Sequence, residues 1–322
     1  MNQEETLALW QQGKEAWNAW AEKMLAERKA LEDKGEWEVT IMPWGEKRQS
    51  ETTKKWLKNA RAVFSSEKTP HVFPDATTFE GWLFPSVSEW NVATFNGDTW
   101  FDSATFKDVA LFSGATFEGV ARFSDTTFKG VAGFNSVCFE KPTHFSRTRF
   151  NTNASFNSSQ IKQAFDLSGA RFKEVPDFRQ THCEEAPLLD DVHIDSTIIK
   201  QRQSSDEPDF TVTANYRALK RLAILGHDHK HEVEFFAEEL RSKRLMVDRN
   251  RPLEWMLNGL YQITSDYGRS IFRPVLWWLP VMLVSTALYL SSSTTNTAPS
   301  SALNAAKYML LDTAWTIADP IL

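Results

Sequence analysis

The sequence predicts a mainly β protein, in which a β-solenoid is capped on its N-terminal side by α-helices and followed by a C-terminal helical membrane segment. Three observations lead there. Large apolar residues recur every eleven positions in two interleaved series, and small residues stand two places before them. Further on, Pro274 to Leu290 is a run of seventeen residues without a charge.

The first series is Phe73, Phe84, Phe95, Phe106, Phe117, Phe128, Phe139, Phe150, Ile161, Phe172 and Cys183. The second is Phe79, Trp90, Phe101, Phe112, Phe123, Phe134, Phe145, Phe156, Leu167, Phe178 and Leu189, so the gaps between the two alternate six and five. Two places earlier stand Ala93, Ala104, Ala115, Thr126, Val137 and Thr148 in one series, and Thr99, Ala110, Ala121, Ala132, Thr143 and Ala154 in the other. Residues two apart on a strand face the same side. Each large side chain therefore points inward beside a small one, which fills a narrow interior. A period of eleven can also wind a right-handed coiled coil. Gly114, Gly119, Gly130 and the many Ser, Thr and Asn residues argue against helix, and the Leu, Glu and Lys that fill such coils are sparse. The spacing favours coils stacked about 4.8 Å apart. Ladders of Phe95, Phe106, Phe117, Phe128 and of Phe101, Phe112, Phe123, Phe134 then run through the interior.

The stretch "ATFKDVALFSGATFEGVARFSDTTFKGVAGF", Ala104 to Phe134, resembles the Phe-rich branch of the pentapeptide-repeat family. That resemblance implies a right-handed, quadrilateral β-helix with a small residue two before each central Leu or Phe. It also implies about twenty-two residues per coil, hence roughly five coils and a rod on the order of 25 Å long.

On the N-terminal side, residues 5 to 31 read as one amphipathic helix, with Trp10, Trp17, Trp20, Met24 and Leu31 on one face. "QGKEAWNAW" resembles the lead-in to such repeats. Trp37, Val39 and Ile41 alternate with polar residues as in a short strand, and Glu51 to Ser65 reads as a polar helix. This region serves to cover the first coil, whose open end would expose apolar side chains and unpaired edge groups.

After Leu189 the register decays, and Gln201 to Phe210 reads as a polar linker at which the chain divides into two physically independent parts. Helices follow at Asn215 to Gly226, ending on a glycine stop, and at His231 to Leu245, with Val233, Phe236, Ala237 and Leu240 on its apolar stripe. "YRALKRLA", "EFFAEEL" and "SDYGRSIFRP" resemble a segment that joins pentapeptide repeats to membrane helices in some bacterial proteins. The domain boundaries expected are 1–70 for the cap, 71–195 for the solenoid, 196–212 for the linker, 213–270 for the helical pair and juxtamembrane helix, and 271–322 for the membrane segment.

His227, His231 and Glu234 can be drawn as a zinc site, since His227 and His231 are four apart and Glu234 is three further on. A solvated helix start is the preferred reading, because Gly226 precedes the cluster and Asp228 suits an N-cap. No metal and no cofactor is expected.

Leu253, Met256, Leu257, Leu260, Tyr261 and Thr264 form a mostly apolar stripe opposite Glu254, Asn258 and Gln262, as in a helix lying in a membrane interface. Pro274 to Leu290 would be about 26 Å long as a helix, near the short limit for crossing a bilayer. Trp277, Trp278 and Tyr289 stand towards its ends as interfacial anchors, and Pro280 can kink it. Arg241, Lys243, Arg244, Arg249, Arg251, Arg269 and Arg273 precede the span, and only Lys307 follows it. The solenoid is therefore expected on the cytoplasmic side of the inner membrane, with Ser291 to Ser301 outside. Ala302 to Leu322 is apolar but carries Lys307, Asp312 and Asp319, which suits a weak second span or a re-entrant piece. Its abrupt stop is the pattern of a fragment.

Composition narrows the function. Among 322 residues there are 23 Phe and 13 Trp against 5 Tyr, with a mean hydropathy of −0.41. A net charge of −6, from 36 basic and 42 acidic residues, makes nucleic acid an unlikely partner. Cys138 and Cys183 are two thiols 45 positions apart. One points inward and the other lies beside an inward Phe, so no structural disulfide is expected and a reducing compartment fits. No signal peptide is visible in MNQEETLALW. Nucleophile elbow, P-loop, GxGxxG and HExxH motifs are lacking, and His144, His182 and His193 are scattered. The expected function is a non-enzymatic, membrane-tethered scaffold whose partners are membrane lipid and an unidentified protein. The alternatives are a subunit associated with a channel or transporter, and a DNA mimic acting on topoisomerases, as some pentapeptide-repeat proteins are. The mimic needs a dense acidic surface, which Lys107, Arg122, Lys129, Lys141, Arg147, Arg149 and Lys162 interrupt. The channel has no TVGYG-like filter to support it.

Overall fold

The computed structural model describes residues 1–41, 47–195, 210–246, 252–270 and 272–293. Most of 201–210, the Thr295 loop and all of 302–322 lie outside these residues.

The eleven-residue series become two-residue strands separated by corners, and four strands close one coil. Parallel pairing joins each strand to the one twenty-two residues on, as in Thr116↔Thr94 and Thr116↔Cys138. Four parallel sheets of five or six strands result, which gives the solenoid four outer faces. In chain order the first face runs from Val72–Phe73 to His182–Cys183 and the second from Thr77–Thr78 to Phe165–Asp166. The third runs from Leu83–Phe84 to His193–Ile194, and the fourth from Ala62–Ser65 to Ala154–Ser155. The first and third faces are thus opposite walls.

Every residue of both series is buried, from Phe73 to Cys183 and from Phe79 to Leu189. Rings of successive coils stack, with Phe101–Phe123 at 4.8 Å and Phe123–Phe145 at 4.7 Å, their planes nearly parallel. Rings within a coil meet edge-on, as Phe112 and Phe123 do at 87°. Both geometries suit the aromatic quadrupole and add about 0.5–1.5 kcal/mol per pair beyond the area they bury. Several of the small inward positions hold Thr or Ser whose hydroxyl finds a carbonyl, although the buried Ser88 hydroxyl finds no partner. Thr126 donates to the Phe101 carbonyl at 2.6 Å, and Thr148 to that of Phe123 at 2.6 Å. A buried hydroxyl is thereby satisfied without leaving the interior.

The alternation of five and six resolves at the corners. The five-residue gaps hold turns closed by a backbone hydrogen bond, such as Ala104 N to Phe101 O at 3.0 Å, except after Phe134, where the Val137 amide donates to the Ser159 hydroxyl. The third residue of that turn is left-handed at every eleventh position: Gly81, Val92, Ser103, Gly114, Asp125, Ser136, Arg147, Ser158, Gly169, Gln180 and Asp191. Such a turn favours glycine at that place, yet only three of these eleven are glycine. Val92, β-branched at φ 51, is the most strained of the set. At a six-residue corner the limit is different. A Cβ on Gly119 would lie 2.4 Å from the Gly97 carbonyl carbon of the coil below, so the backbones approach too closely for any side chain.

Phe64 and Phe165 are inward residues that fall outside the series. Phe64 is buried and stacks on Trp90 at 3.8 Å, although it sits 26 rather than 22 positions before it. The four extra residues lie between Phe64 and Phe73, nine positions apart where Trp90 and Phe95 are five apart, in a stretch that Ser66 and Thr69 bridge. Phe165 occupies a small-residue position, and the series residue two places on is Leu167, so large and small exchange places within that strand.

The N-terminal cap differs from the single helix expected. Helix α1 (Gln3–Trp10) and helix α2 (Lys14–Asp33) are separated at Gly13, whose φ of 89 breaks the run. Asn2 and Glu5 form a capping box at the start of α1. Trp17 on α2 is fully buried against Phe64, Trp82 and Phe84 and donates to the Leu83 carbonyl at 2.9 Å. Trp10 meets Phe73 and Phe79. Val39–Ile41 pairs antiparallel with Lys47–Gln49. The helix expected over Glu51 to Ser65 is shorter: α3 (Glu51–Ala60) ends, and Ala62–Ser65 becomes the first strand of the fourth face. Burial decides this, because Phe64 fills the solenoid interior.

Helices α4 (Phe210–Leu225) and α5 (His229–Met246) close the other end. Val212, Tyr216, Leu219, Leu222 and Phe235 share one core with Phe178, Cys183 and Leu189. The compact unit accordingly runs from Met1 to Asn250, and a second begins at Arg251. The division expected at Gln201 to Phe210 is corrected: the helical pair is part of the solenoid's unit, because its apolar face covers the last coil. The buried side of α5 is also not the expected one. Of the expected stripe Ala237 is buried, Phe236 and Leu240 are half-buried and Val233 is exposed, whereas His231, Phe235, Glu239 and Ser242 are buried. Glu239 is tolerated there because Arg217 and Lys220 on α4 reach it at 2.8 and 2.6 Å.

The second unit contains α6 (Pro252–Ser265) and α7 (Phe272–Ser293), joined by a turn with positive φ at Asp266, Tyr267 and Gly268. The Trp277 indole donates to the Ile263 carbonyl at 3.3 Å.

Candidate functional site

The interior is filled by side chains, so the chemistry available to a partner lies on the outer faces and ends of the solenoid. Outward residues stack in rows because the coil repeat is twenty-two. On the second face this row is Thr78, Trp100, Arg122, His144 and Asp166. On the third it is Leu83, Thr105, Thr127, Arg149, Arg171 and His193.

Ion pairs bind neighbouring coils. Arg122 reaches Asp102 at 2.9 Å, Arg147 reaches Asp125 at 2.7 Å, and Lys162 reaches Glu140 at 2.7 Å. The Arg147 guanidinium holds the Asp125 carboxyl below its ordinary range, and Lys162 does the same for Glu140. These pairs lie at the surface, where screening by water keeps their contribution to stability small.

The residue after the inward ring sorts by face. On the first face it is Asn96, Glu118, Glu140, Lys162 and Glu184; on the third it is Lys107, Lys129, Asn151 and Lys173. Opposite walls therefore differ in charge. Glu118, Glu140, Lys141, Lys162, Gln163 and Glu184 line a shallow groove on the acidic wall.

A larger cleft, of 1260 Å³, opens between α1, α3 and the fourth face. Its polar groups serve the cap. The Met1 amine donates to the Arg61 carbonyl at 2.9 Å, Gln3 bonds the Phe64 and Thr69 carbonyls, and Arg61 pairs with Glu89.

The zinc arrangement drawn from the sequence does not assemble. His227 stands outside α5 with φ 51, and Asp228 caps that helix through the His231 amide at 3.1 Å. The His231 ring is buried, bonded to Asp228 and packed on Phe235. Among the described residues no group of three His, Cys, Asp or Glu could hold a metal ion. Cys138 and Cys183 are free thiols, and burial pushes Cys183 up to about 11. His144 faces Asp166 at 3.6 Å on the second face, and His182 and His193 are exposed.

Helix α7 carries its aromatic residues near both ends. Trp277 and Trp278 are 48% and 42% exposed near the start of the helix, and Tyr289 is partly exposed near its end. Phe272–Leu290 is long and apolar enough to cross a membrane by length and composition, and none of it is buried. The α6 stripe of Leu253, Met256, Leu257, Leu260 and Tyr261 is exposed as well.

Comparison with known proteins adds one finding. Residues 91–137 match the family model for pentapeptide repeats, in nine copies. Comparison with curated proteins finds no match, nor does comparison with solved structures. The matched stretch lies in the middle of the coils, and the same ring stacking continues through the coils on both sides of it. The four-sided β-solenoid at the centre of this chain is thus a pentapeptide-repeat domain with phenylalanine at its core.

Proposed function

We propose that the protein is a membrane-tethered, non-enzymatic scaffold whose pentapeptide-repeat solenoid presents rigid outer faces to a protein partner. The interior is spent on packing and the corners on turns, which leaves surface recognition as the work available to the solenoid. A stack of this kind holds outward side chains at a fixed pitch, so little ordering entropy is lost when a partner binds.

The observation that carries the tether is the state of α7. Phe272, Leu283 and Leu288 are 80%, 71% and 65% exposed on a helix of 22 residues. Apolar surface of that extent is unfavourable in water and favourable in a bilayer. With α6 presenting an apolar stripe ahead of it, the pair has the form of an interfacial helix followed by a span. Arg269 and Arg273 stand on the N-terminal side of Pro274–Leu290, and the excess of basic residues on that side supports a cytoplasmic solenoid.

Topology reporters test this. A reporter fused ahead of Met1 is expected to read cytoplasmic, and one fused after Thr295 external. A cytoplasmic signal at both sites would remove the span.

A further inference from the structure

The third face carries cations that the other faces do not match. Arg149 and Arg171 are direct partners on adjacent parallel strands and both are exposed. Lys107 and Lys129 also stand one coil apart. Burial and then the neighbouring Lys129 ammonium push the Lys107 amine below its ordinary range. Lys173 extends the row by the same twenty-two-residue step from Asn151. Like charges directly opposite on neighbouring strands repel, at a coil spacing of about 4.8 Å.

Several cations elsewhere on the solenoid are neutralised. Arg122, Lys162 and Arg179 each reach a carboxylate within 2.9 Å. Lys107, Lys129, Arg149, Arg171 and Lys173 make no ion pair with a described carboxylate. The acids nearest this wall are Asp108, Asp125, Glu174, Asp191 and Asp195. Asp108 accepts the Val109 amide at 2.9 Å, and Asp125 is held by two bonds from Arg147. The opposite wall has Glu118, Glu140 and Glu184 at the equivalent places. The solenoid is therefore polarised across its width.

We propose that the third face docks on an anionic phospholipid surface, with Lys107, Lys129, Arg149, Arg171 and Lys173 meeting headgroup phosphates and the acidic first face turned to water. This rests on the membrane reading of α7. A chain held by that helix stays within reach of the headgroups, so weak contacts operate at high effective concentration. Juxtamembrane cations are drawn to acidic leaflets, and the attraction falls off within a Debye length. Arginine can engage a phosphate through two parallel hydrogen bonds. An anionic surface attracts the third wall and repels the first, so the solenoid takes one orientation. Nucleic acid offers the same phosphate chemistry, but nothing on the chain holds it there.

The test uses the full chain in nanodiscs of phosphatidylcholine, with or without phosphatidylglycerol, in a Cys138→Ser background. A fluorophore is attached at Thr127→Cys on the third face or at Thr116→Cys on the first. Quenching by headgroup spin-labelled lipid is then measured. In anionic discs the 127 label is expected to be quenched several-fold more than the 116 label. High salt, or the variant Arg149→Glu/Arg171→Glu/Lys173→Glu, should abolish the difference while the chain stays in the disc. Equal quenching of both labels in anionic discs, or a difference the variant does not change, would overturn the proposal and leave the anchor intact. A chain that enters neither disc would instead overturn the anchor, and the lipid proposal with it. Displacement of the 127 signal by duplex DNA, or energy transfer between labelled copies in its place, would reassign the face to nucleic acid or to a second copy.

Discussion

Phe123→Ala is expected to destabilise the solenoid by about 3–5 kcal/mol, the cost of removing a fully buried ring that cannot be replaced by collapse. Phe123 stacks on Phe101 and Phe145 at once and meets Phe112 and Phe134 edge-on, so one substitution empties a place shared by three coils. Glu118→Ala, on the exposed row of the first face, is expected to stay within about 0.5 kcal/mol. Denaturant melts of the two variants against the parent read the difference. Equal losses would contradict the inward register.

Removal of the N-terminal cap is expected to have an effect of a different kind. Trp10 and Trp17 cover Phe64, Phe73, Phe79 and Phe84, and Leu7, Leu9 and Trp20 of the same two helices pack against this core as well. Deleting Met1 to Lys34 from a chain ending at Asn250 uncovers both the rings and the strand edges of that coil. Edges of this sort template pairing between chains, so the trimmed protein should elute as aggregate while its parent elutes as a defined species. Trp17→Ala leaves the helices in place and should cost about 3–5 kcal/mol through the lost indole alone. A trimmed chain that stays monomeric and melts like its parent would show that α1 and α2 are not a cap.

The ladder was legible because a solenoid core repeats one environment at a fixed step. Each inward position faces the same neighbours, so the same residue type recurs and its period shows in the sequence. What the period could not reveal were the places where the environment changes. Phe64 joins the stack ahead of four extra residues, and Phe165 fills a slot that in the preceding coils takes Ala, Ser or Thr. The left-handed corners stayed hidden because Val92, Asp125 and Arg147 do not advertise a positive φ as glycine does. The break between α1 and α2 rests on a single dihedral at Gly13. The C-terminal cap was set apart from the solenoid because the intervening segment is polar. Nothing in that polarity tells that Tyr216 and Leu219 face Phe178. The candidate surface was half legible. Lys107, Glu118, Lys129 and Glu140 alternate every eleven residues, which reads as mixed charge along the chain. Only a coil of twenty-two sends the two signs to opposite walls.

The tether is the claim on which the functional account stands, and extraction of the full chain from membranes by alkaline carbonate tests it most directly. The account predicts that the full chain remains in the membrane pellet through carbonate and high-salt washes, while a chain ending at Asn250 moves to the supernatant. Release of the full chain by carbonate would contradict it.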